Sequence, residues 1–220
     1  MSMPPSMTYQ AIFQALKGVA PSRLGSFTLP VRKTGYALCP IDCRQGHLAD
    51  DVVSMLTDAR NAHVTSFLTR FQATAERTAG WLINAVGSDS TRILFAIRHI
   101  ESGALYGYMG LGYGSEDNSY IEADAIVRYA EQSVRGLMND ALQDLVAWVK
   151  NDLGIPRVGV RVLSDNPALA FYAKCGFQEL RRASLYPSNS SDGDLMGLAE
   201  APPDAESKSS PVTLVYMEYR

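Results

Sequence analysis

Apolar and polar positions switch between a helical and a strand period along this chain, and each switch marks an element. Tyr9 to Lys17 has helical spacing, with Ile12, Phe13 and Leu16 on one side. Tyr36 to Asp42 reads as the first strand, and Pro40 inside it suggests an edge position. His47 to Ala59 is helical, with Leu48, Val52, Val53, Met55 and Leu56 as its apolar stripe. After Arg60 and Asn61 a second helical region follows, and its Thr78 to Ala85 stretch carries Trp81 and Leu82. Arg92 to His99 reads as a buried strand, Glu101 to Gly103 as a turn, and Leu105 to Tyr113 as the second strand of a hairpin. Tyr120 to Arg128 is a third strand. Leu137 to Asn151 is a strongly amphipathic helix, with Leu137, Ala141, Leu145 and Trp148 at helical spacing, stopped by Gly154 and Pro156.

The run Val158 to Leu163 is apolar and β-branched, as a buried strand requires. Ser164 and Asp165 offer two N-cap oxygens to a helix from about Pro167 to Lys174. Gly176 supplies the left-handed residue with which many helices end, and Phe177 opens a strand that runs to about Tyr186. Pro187 to Ser210 is rich in Ser, Asp, Gly and Pro and reads as a mobile loop. Val212 to Tyr219 closes the chain as a last strand. Met1 to about Lys33 stands apart as an extension, either a docking arm or a poorly ordered leader, with a loop-like stretch from Pro21 to Pro30.

Composition narrows the classes. The chain has 220 residues, the size of one domain, and 46% of them are hydrophobic, enough for a sizeable core. The net charge is −3 and no basic patch stands out, which disfavours nucleic acid as a partner. Cys39, Cys43 and Cys175 have neither disulfide-framework nor zinc spacing and read as reduced thiols, so no metal is expected. No apolar run reaches the roughly 18–20 residues of a membrane span. No charged n-region precedes an apolar h-region at the start, so the expectation is a soluble, cytoplasmic protein with no membrane partner, as a monomer or homodimer.

One stretch carries more than architecture. The sequence SDNPALAFYAKCGF resembles the late motif of the GCN5-related N-acetyltransferase (GNAT) superfamily, in which Asn, an apolar residue, Tyr and Gly-Phe follow in order. Asn166, Ala170, Phe171, Tyr172, Gly176 and Phe177 match it one by one. The element order before and after it is similar to that fold over about Tyr36 to Arg220. The resemblance implies an α/β (α+β) fold with a mixed, mostly antiparallel central sheet of about seven strands flanked by helices. It also implies an N-terminal extension over 1–33 and one acetyltransferase domain over 34–220, with a flexible loop at about 187–210.

Acyl transfer from a thioester to an amine needs a grip on the carrier, polarisation of the thioester carbonyl, a route for the amine proton and a proton for the leaving thiolate. The grip falls on the helix start Val134, Arg135, Gly136, Leu137 and Met138, because free N–H groups at a helix N-terminus suit a pyrophosphate. The family's glycine-rich loop is departed from there: in Glu131 to Met138, Gly136 is the only glycine, and Arg135 can place a guanidinium on a phosphate. "RGLMNDAL" resembles the start of this helix in acetyltransferases of amino sugars; the plain alternative is an ordinary helix start with a solvated arginine. By resemblance, backbone N–H groups of Ile126, Val127 and Arg128 polarise the carbonyl.

Glu122 and Asp124 alternate with alanines, so both carboxylates face one side of their strand. Either can take the amine proton, Glu122 first, or they form a polar strand face and nothing more. Tyr172, carried over from the motif, is the leaving-group acid: a phenol with an ordinary pKa of about 10 is protonated at neutral pH. Its alternative is a core tyrosine. Asn166 bonds the pantetheine arm or caps the helix beside Asp165, and Phe171 lies within the same motif. Arg60, Asn61 and His63 occupy the segment that resembles the acceptor-shaping stretch of the family, although a lone histidine is more often structural. Trp81, Tyr108, Tyr113 and Tyr120 line a sugar or peptide pocket or belong to the core.

The resemblance implies an acetyl-CoA-dependent N-acetyltransferase, with acetyl-CoA as acyl donor and no metal. The acceptor is a primary amine: a small molecule such as an amino sugar, or a peptide or protein N-terminus. A non-catalytic acyl-CoA-binding or partner-binding module is the competing reading.

Overall fold

The computed structural model describes residues 7–18, 27–129, 134–189, 196–200 and 208–220. In chain order these form α1 (Tyr9–Leu16), β1 (Leu29–Pro30), β2 (Tyr36–Pro40), α2 (Asp50–Ala62), β3 (Thr69–Arg70), α3 (Ala75–Trp81), β4 (Ile93–His99), β5 (Leu105–Gly112) and β6 (Tyr120–Arg128). There follow α4 (Leu137–Asn151), β7 (Arg157–Leu163), α5 (Ala168–Lys174), β8 (Phe177–Asn189), β9 (Met196–Glu200) and β10 (Thr213–Tyr219). A 3₁₀ turn covers Val64–Ser66, and α3 runs on into a π-helical segment, Leu82–Gly87. The residues divide into two compact units, 1–60 with 73–158 and 61–72 with 159–220.

In the first unit the strand order is β1-β2-β4-β5-β6, antiparallel throughout. Strand β4 is its centre: Ile93 through Ile97 are all 2% exposed or less, so both faces are covered, as the continuous apolar run predicts. Helix α4 buries Leu137, Ala141, Leu142, Leu145, Val146, Trp148 and Val149 on one stripe. Helix α1, in the expected N-terminal extension, is an integral part of this core. The Thr8 hydroxyl accepts from the Ala11 N–H at its start, Phe13 is fully buried, and its ring stacks 6.3 Å from Trp148, which Phe95 meets edge-on.

Lys17, just past α1, is fully buried. Its Nζ donates to the carbonyls of Val86 at 2.7 Å, Gly87 at 3.3 Å and Asp89 at 2.7 Å, and so closes the end of the π-helical segment. Burial lowers the ammonium pKa, while nearby Cys43 and Asp89 act in the other direction. Lys17→Met removes all three donors from buried carbonyls, and a loss of about 2 kcal/mol is expected. Urea unfolding checks it: the midpoint should fall with an unchanged slope.

In the second unit the strand order is β7-β10-β8-β9-β3, again antiparallel. Buried Leu163, Leu185 and Leu214 form a small core covered by Leu68, Leu198 and Val212 among others. This core corrects the reading of Pro187 to Ser210 as one loop. Strand β8 continues to Asn189, and β9 pairs with it from Leu185↔Glu200 to Asn189↔Met196. Leu198 supplies the apolar cover, and its N–H donates to the Leu68 carbonyl at 2.8 Å. The expected loop's residues 190–195 and 201–207, and the extension's residues 1–6 and 19–26, lie outside the described residues.

The class is the expected mixed, largely antiparallel α/β fold, with ten strands among the described residues rather than about seven. The added strands are β9 and the two-residue β1 and β3, too short to carry a period. No helix among the described residues is long and apolar enough to cross a membrane.

Candidate active site

Strand β6 is where the first unit departs from regular geometry. Its register against β5 pairs Tyr108 with Val127 but Gly110 with Asp124, so Ala125 and Ile126 together oppose Met109. This is a β-bulge, with Ala125 at φ 52° in the left-handed region. The bulge interrupts the ladder at the start of the segment Ile126, Val127 and Arg128, whose amides the family resemblance singles out. An alanine held in that conformation costs about 1–2 kcal/mol, a cost that persists where the surroundings fix it.

Immediately before the bulge stand both candidate carboxylates. Glu122 opposes Gly112 and Asp124 opposes Gly110, so neither faces a side chain directly across the ladder. Glu122 is 7% exposed and accepts from the Tyr120 hydroxyl at 3.2 Å. The Arg157 guanidinium lies 5.5 Å from the Tyr120 ring. Asp124 is more open and takes Arg92 Nη2 at 2.5 Å. The Arg92 guanidinium in turn lies 5.4 Å from the Trp81 ring and 5.6 Å from the Tyr113 ring. A Cβ on Gly112 would sit 3.5 Å from Arg92 Cγ and 3.9 Å from Asp124 Oδ2, ordinary contact distances, so Gly112 lies directly against this pair.

Tyr108 is buried and its phenol is pushed well above its ordinary pKa by burial; Arg60 opposes that rise and Asp124 adds to it. Burial lowers the Arg60 pKa, with Tyr108 acting the other way and Arg77 adding to the drop. Arg60, Tyr108, Asp124 and Arg92 therefore belong to one electrostatic neighbourhood. Sequence spacing assigned the aromatics and the carboxylates separately; it did not reveal Arg92 between them.

Helix α4 of the same unit begins at Gly136, which takes φ 83° at the N-cap position with no side-chain cap. Val134 and Arg135 precede it as turn residues, Leu137 is buried and Met138 is half-buried. Lys33 Nζ donates to the Arg135 carbonyl at 3.3 Å. A Cβ at Gly136 would meet nothing within 4 Å, so only the backbone angle demands glycine here. Residues 131–133 of the expected carrier loop lie outside the described residues.

In the second unit α5 carries the late motif. Asn166 Oδ1 accepts from the Ala168 N–H at 2.9 Å, so Asn166 caps α5. Ser164, expected to cap it, instead accepts from the Thr213 N–H at 3.1 Å and closes the β7–β10 ladder. Tyr172 is 7% exposed, its ring tilted against Phe171 at 5.5 Å and edge-on to Phe177 at 6.0 Å. Gly176 takes φ 96°, the left-handed end expected of it. Asn61 is half-buried near the end of α2, and His63 opens the 3₁₀ turn, its carbonyl accepting from the Ser66 N–H at 2.9 Å.

Burial raises the pKa of Cys39 and lifts the Cys43 and Cys175 thiols to about 11, which disfavours the thiolate form in all three. Among the described residues no group of His, Cys, Asp or Glu side chains is arranged to hold a metal ion.

Residues 44–178 match the acetyltransferase (GNAT) domain. None of the curated proteins matches the sequence significantly. Among solved structures, a probable GNAT-family acetyltransferase from Chromobacterium violaceum is similar at 16% identity and TM-score 0.63, over 90% of this chain and 92% of its own. A point mutant of spermidine N-acetyltransferase from Vibrio cholerae is similar at 13% identity and TM-score 0.59, over 84% and 94%. A ribosomal-protein alpha-N-acetyltransferase in complex with coenzyme A is similar at 13% identity and TM-score 0.59, over 86% and 97%. At these identities the structures share the fold.

Proposed function

Because the chain belongs to the GNAT acetyltransferase family, and so to the acyltransferases, we propose that it moves the acetyl group of acetyl-CoA to the primary amine of a small molecule such as an amino sugar. The observation that carries this reading is the bulge in β6, which sets a buried carboxylate, Glu122, a few residues from an interrupted run of amides on one strand.

Each step uses a named group. The uncapped start of α4, Val134 to Met138, holds the pyrophosphate of acetyl-CoA, with Arg135 beside it. Amides of Ile126, Val127 and Arg128 donate to the thioester carbonyl as its oxygen gains negative charge. The amine nitrogen attacks the carbonyl carbon, and Glu122 takes the proton that nitrogen loses. The C–S bond breaks, and Tyr172 protonates the departing thiolate. Asn166 and Phe171 border the acyl-carrying arm. Arg60, Asn61 and His63, with Trp81 and Tyr113, shape the acceptor side. Asp124, which is paired with Arg92, is the second candidate for base.

The experiment is a titration with acetyl-CoA. Binding on the micromolar scale, about −8 kcal/mol, is expected. Gly136→Asp should weaken it by at least about tenfold, since it sets a carboxylate against the phosphates. Gly136→Ala carries the same backbone strain without the charge and should weaken it less. Equal losses in both variants, or none in either, would place the pyrophosphate elsewhere.

A further inference from the structure

We propose that Arg92 is a positioning residue for acyl transfer: by clamping Asp124 across strand β5 it holds the Ala125 bulge, and with it the amides of Ile126, Val127 and Arg128, in the arrangement that polarises the thioester carbonyl. The inference rests on the acetyl-transfer reading above.

The clamp spans three strands. Arg92 stands just before β4, and its side chain passes β5 at Gly112, where a Cβ would lie 3.5 Å from Arg92 Cγ. Its Nη2 then donates to Asp124 of β6 at 2.5 Å. Asp124 is the last residue of β6 in register before the bulge: it opposes Gly110, while Ala125 and Ile126 share Met109. The Trp81 ring at 5.4 Å and the Tyr113 ring at 5.6 Å flank the guanidinium.

This arrangement carries costs. Arg92 Nε is buried and has no hydrogen-bond partner among the described residues. Tyr113 sits at φ 54° and Ala125 at φ 52°, left-handed angles that a side chain resists. The paired side chains are 19% and 26% exposed, so water screens their attraction and the pair adds little to global stability. Strain and an orphaned donor around a pair of small cohesive value point to a positional task.

The pleat says what that task is. A bulge is smoothed out only when one half of its strand slips by one residue, and such a slip turns every side chain of that half to the other face. Beyond the bulge, Val127 is buried and opposes Tyr108. Before it, a slip would set Asp124 opposite Met109 and off the face that Arg92 reaches. The ion pair therefore opposes the movement that would return Ala125 to ordinary strand angles. The strain on an alanine held left-handed corresponds to about a tenfold bias in population, and the clamp offsets a bias of that size.

Two readouts test this, one of them independent of turnover. In Arg92→Gln the Cα and Cβ chemical shifts of Ala125 should move from left-handed towards strand values. Its turnover number should fall about tenfold, with KM for acetyl-CoA within about twofold of wild type, because the amides act on charge that develops in the transition state. Glycine takes the bulge angles without steric cost, so Arg92→Gln in an Ala125→Gly background should stay within about threefold of Ala125→Gly alone. Arg92→Lys keeps the charge and should retain the left-handed shifts of Ala125. Unmoved Ala125 shifts in Arg92→Gln would assign Arg92 to cohesion, and a turnover loss that persists in the Ala125→Gly background would assign it to the acceptor; either result overturns the proposal. Should Arg92→Gln not fold, the double variant decides by the same criterion, and failure of both to fold overturns the proposal as well. Absence of acetyl transfer by the wild type would instead contradict the transferase reading, and the Ala125 shifts then still decide whether Arg92 holds the bulge.

Discussion

Tyr172→Phe should lower the turnover number by at least about tenfold, and by up to the roughly 10²–10⁴-fold that a positioned acid typically contributes, while acetyl-CoA affinity stays nearly unchanged. The substitution keeps the ring, so the contacts with Phe171 and Phe177 and the short helix α5 survive. Only the hydroxyl leaves. A thiolate that departs without a donor leaves as a full negative charge, and that charge appears in the transition state, not in the bound ground state. The loss therefore belongs to turnover rather than to binding. A tyrosine that serves packing alone gives a different pair of results: full turnover, with a stability loss of about 1 kcal/mol. Measuring both quantities on one variant separates the two roles, and wild-type turnover would assign the acid to another group or to water.

Glu122→Gln should have the other large effect, a fall in turnover of about 10²-fold or more. The amide keeps the size of the side chain and an oxygen to accept from the Tyr120 hydroxyl, so the buried position stays filled. What it loses is the ability to take a proton. In the wild type the rate should rise with pH as the carboxylate ionises, because only the ionised form accepts the amine proton; in Glu122→Gln that rise should vanish from the acid limb. Asp124→Asn should cost much less turnover, since Asp124, paired with Arg92, is the second candidate for base. A pH profile of kcat with the same acid limb in Glu122→Gln as in wild type would remove Glu122 from the role of base.

Elements with a single clear period were legible in the sequence. Leu137–Asn151 falls where helical spacing puts it, because one face is buried and the other is not, and Tyr120–Arg128 falls where alternation of residue type puts it, although Ile121, Glu122 and Ala123 are buried on both of its faces. Helix α2 starts at Asp50 rather than His47: Asp50 and Asp51 favour the positive end of the helix, and His47 lies in the turn before it. Other features depend on contacts distant in sequence, which a local pattern does not hold. Lys17 looks like a solvated lysine until the carbonyls of Val86, Gly87 and Asp89 are brought to it. Strand β9 looks like loop because its apolar partners, Leu68 and Leu185, are far away in the chain. The bulge at Ala125 leaves no trace in an alternation that runs smoothly through it.

The same limit applies to the site. The carboxylates, the phenol and the helix start could be named from the chain, because motif and alternation assign residue types to places. The partner of Asp124 could not, since Arg92 reads as the first residue of a buried strand. Asn166 shows a further limit: its side chain caps α5, and capping and coenzyme contact call for the same oxygen and amide at the same place.

The most direct test of the whole account is release of free thiol from acetyl-CoA by the purified chain, measured across a panel of amino sugars, other small monoamines, peptides with free N-termini and spermidine. Acceptor-dependent thiol release is expected, strongest with a small-molecule primary amine, together with the N-acetylated acceptor in equal amount. Acetyl-CoA binding with no acceptor-dependent thiol release from any member of the panel would contradict it.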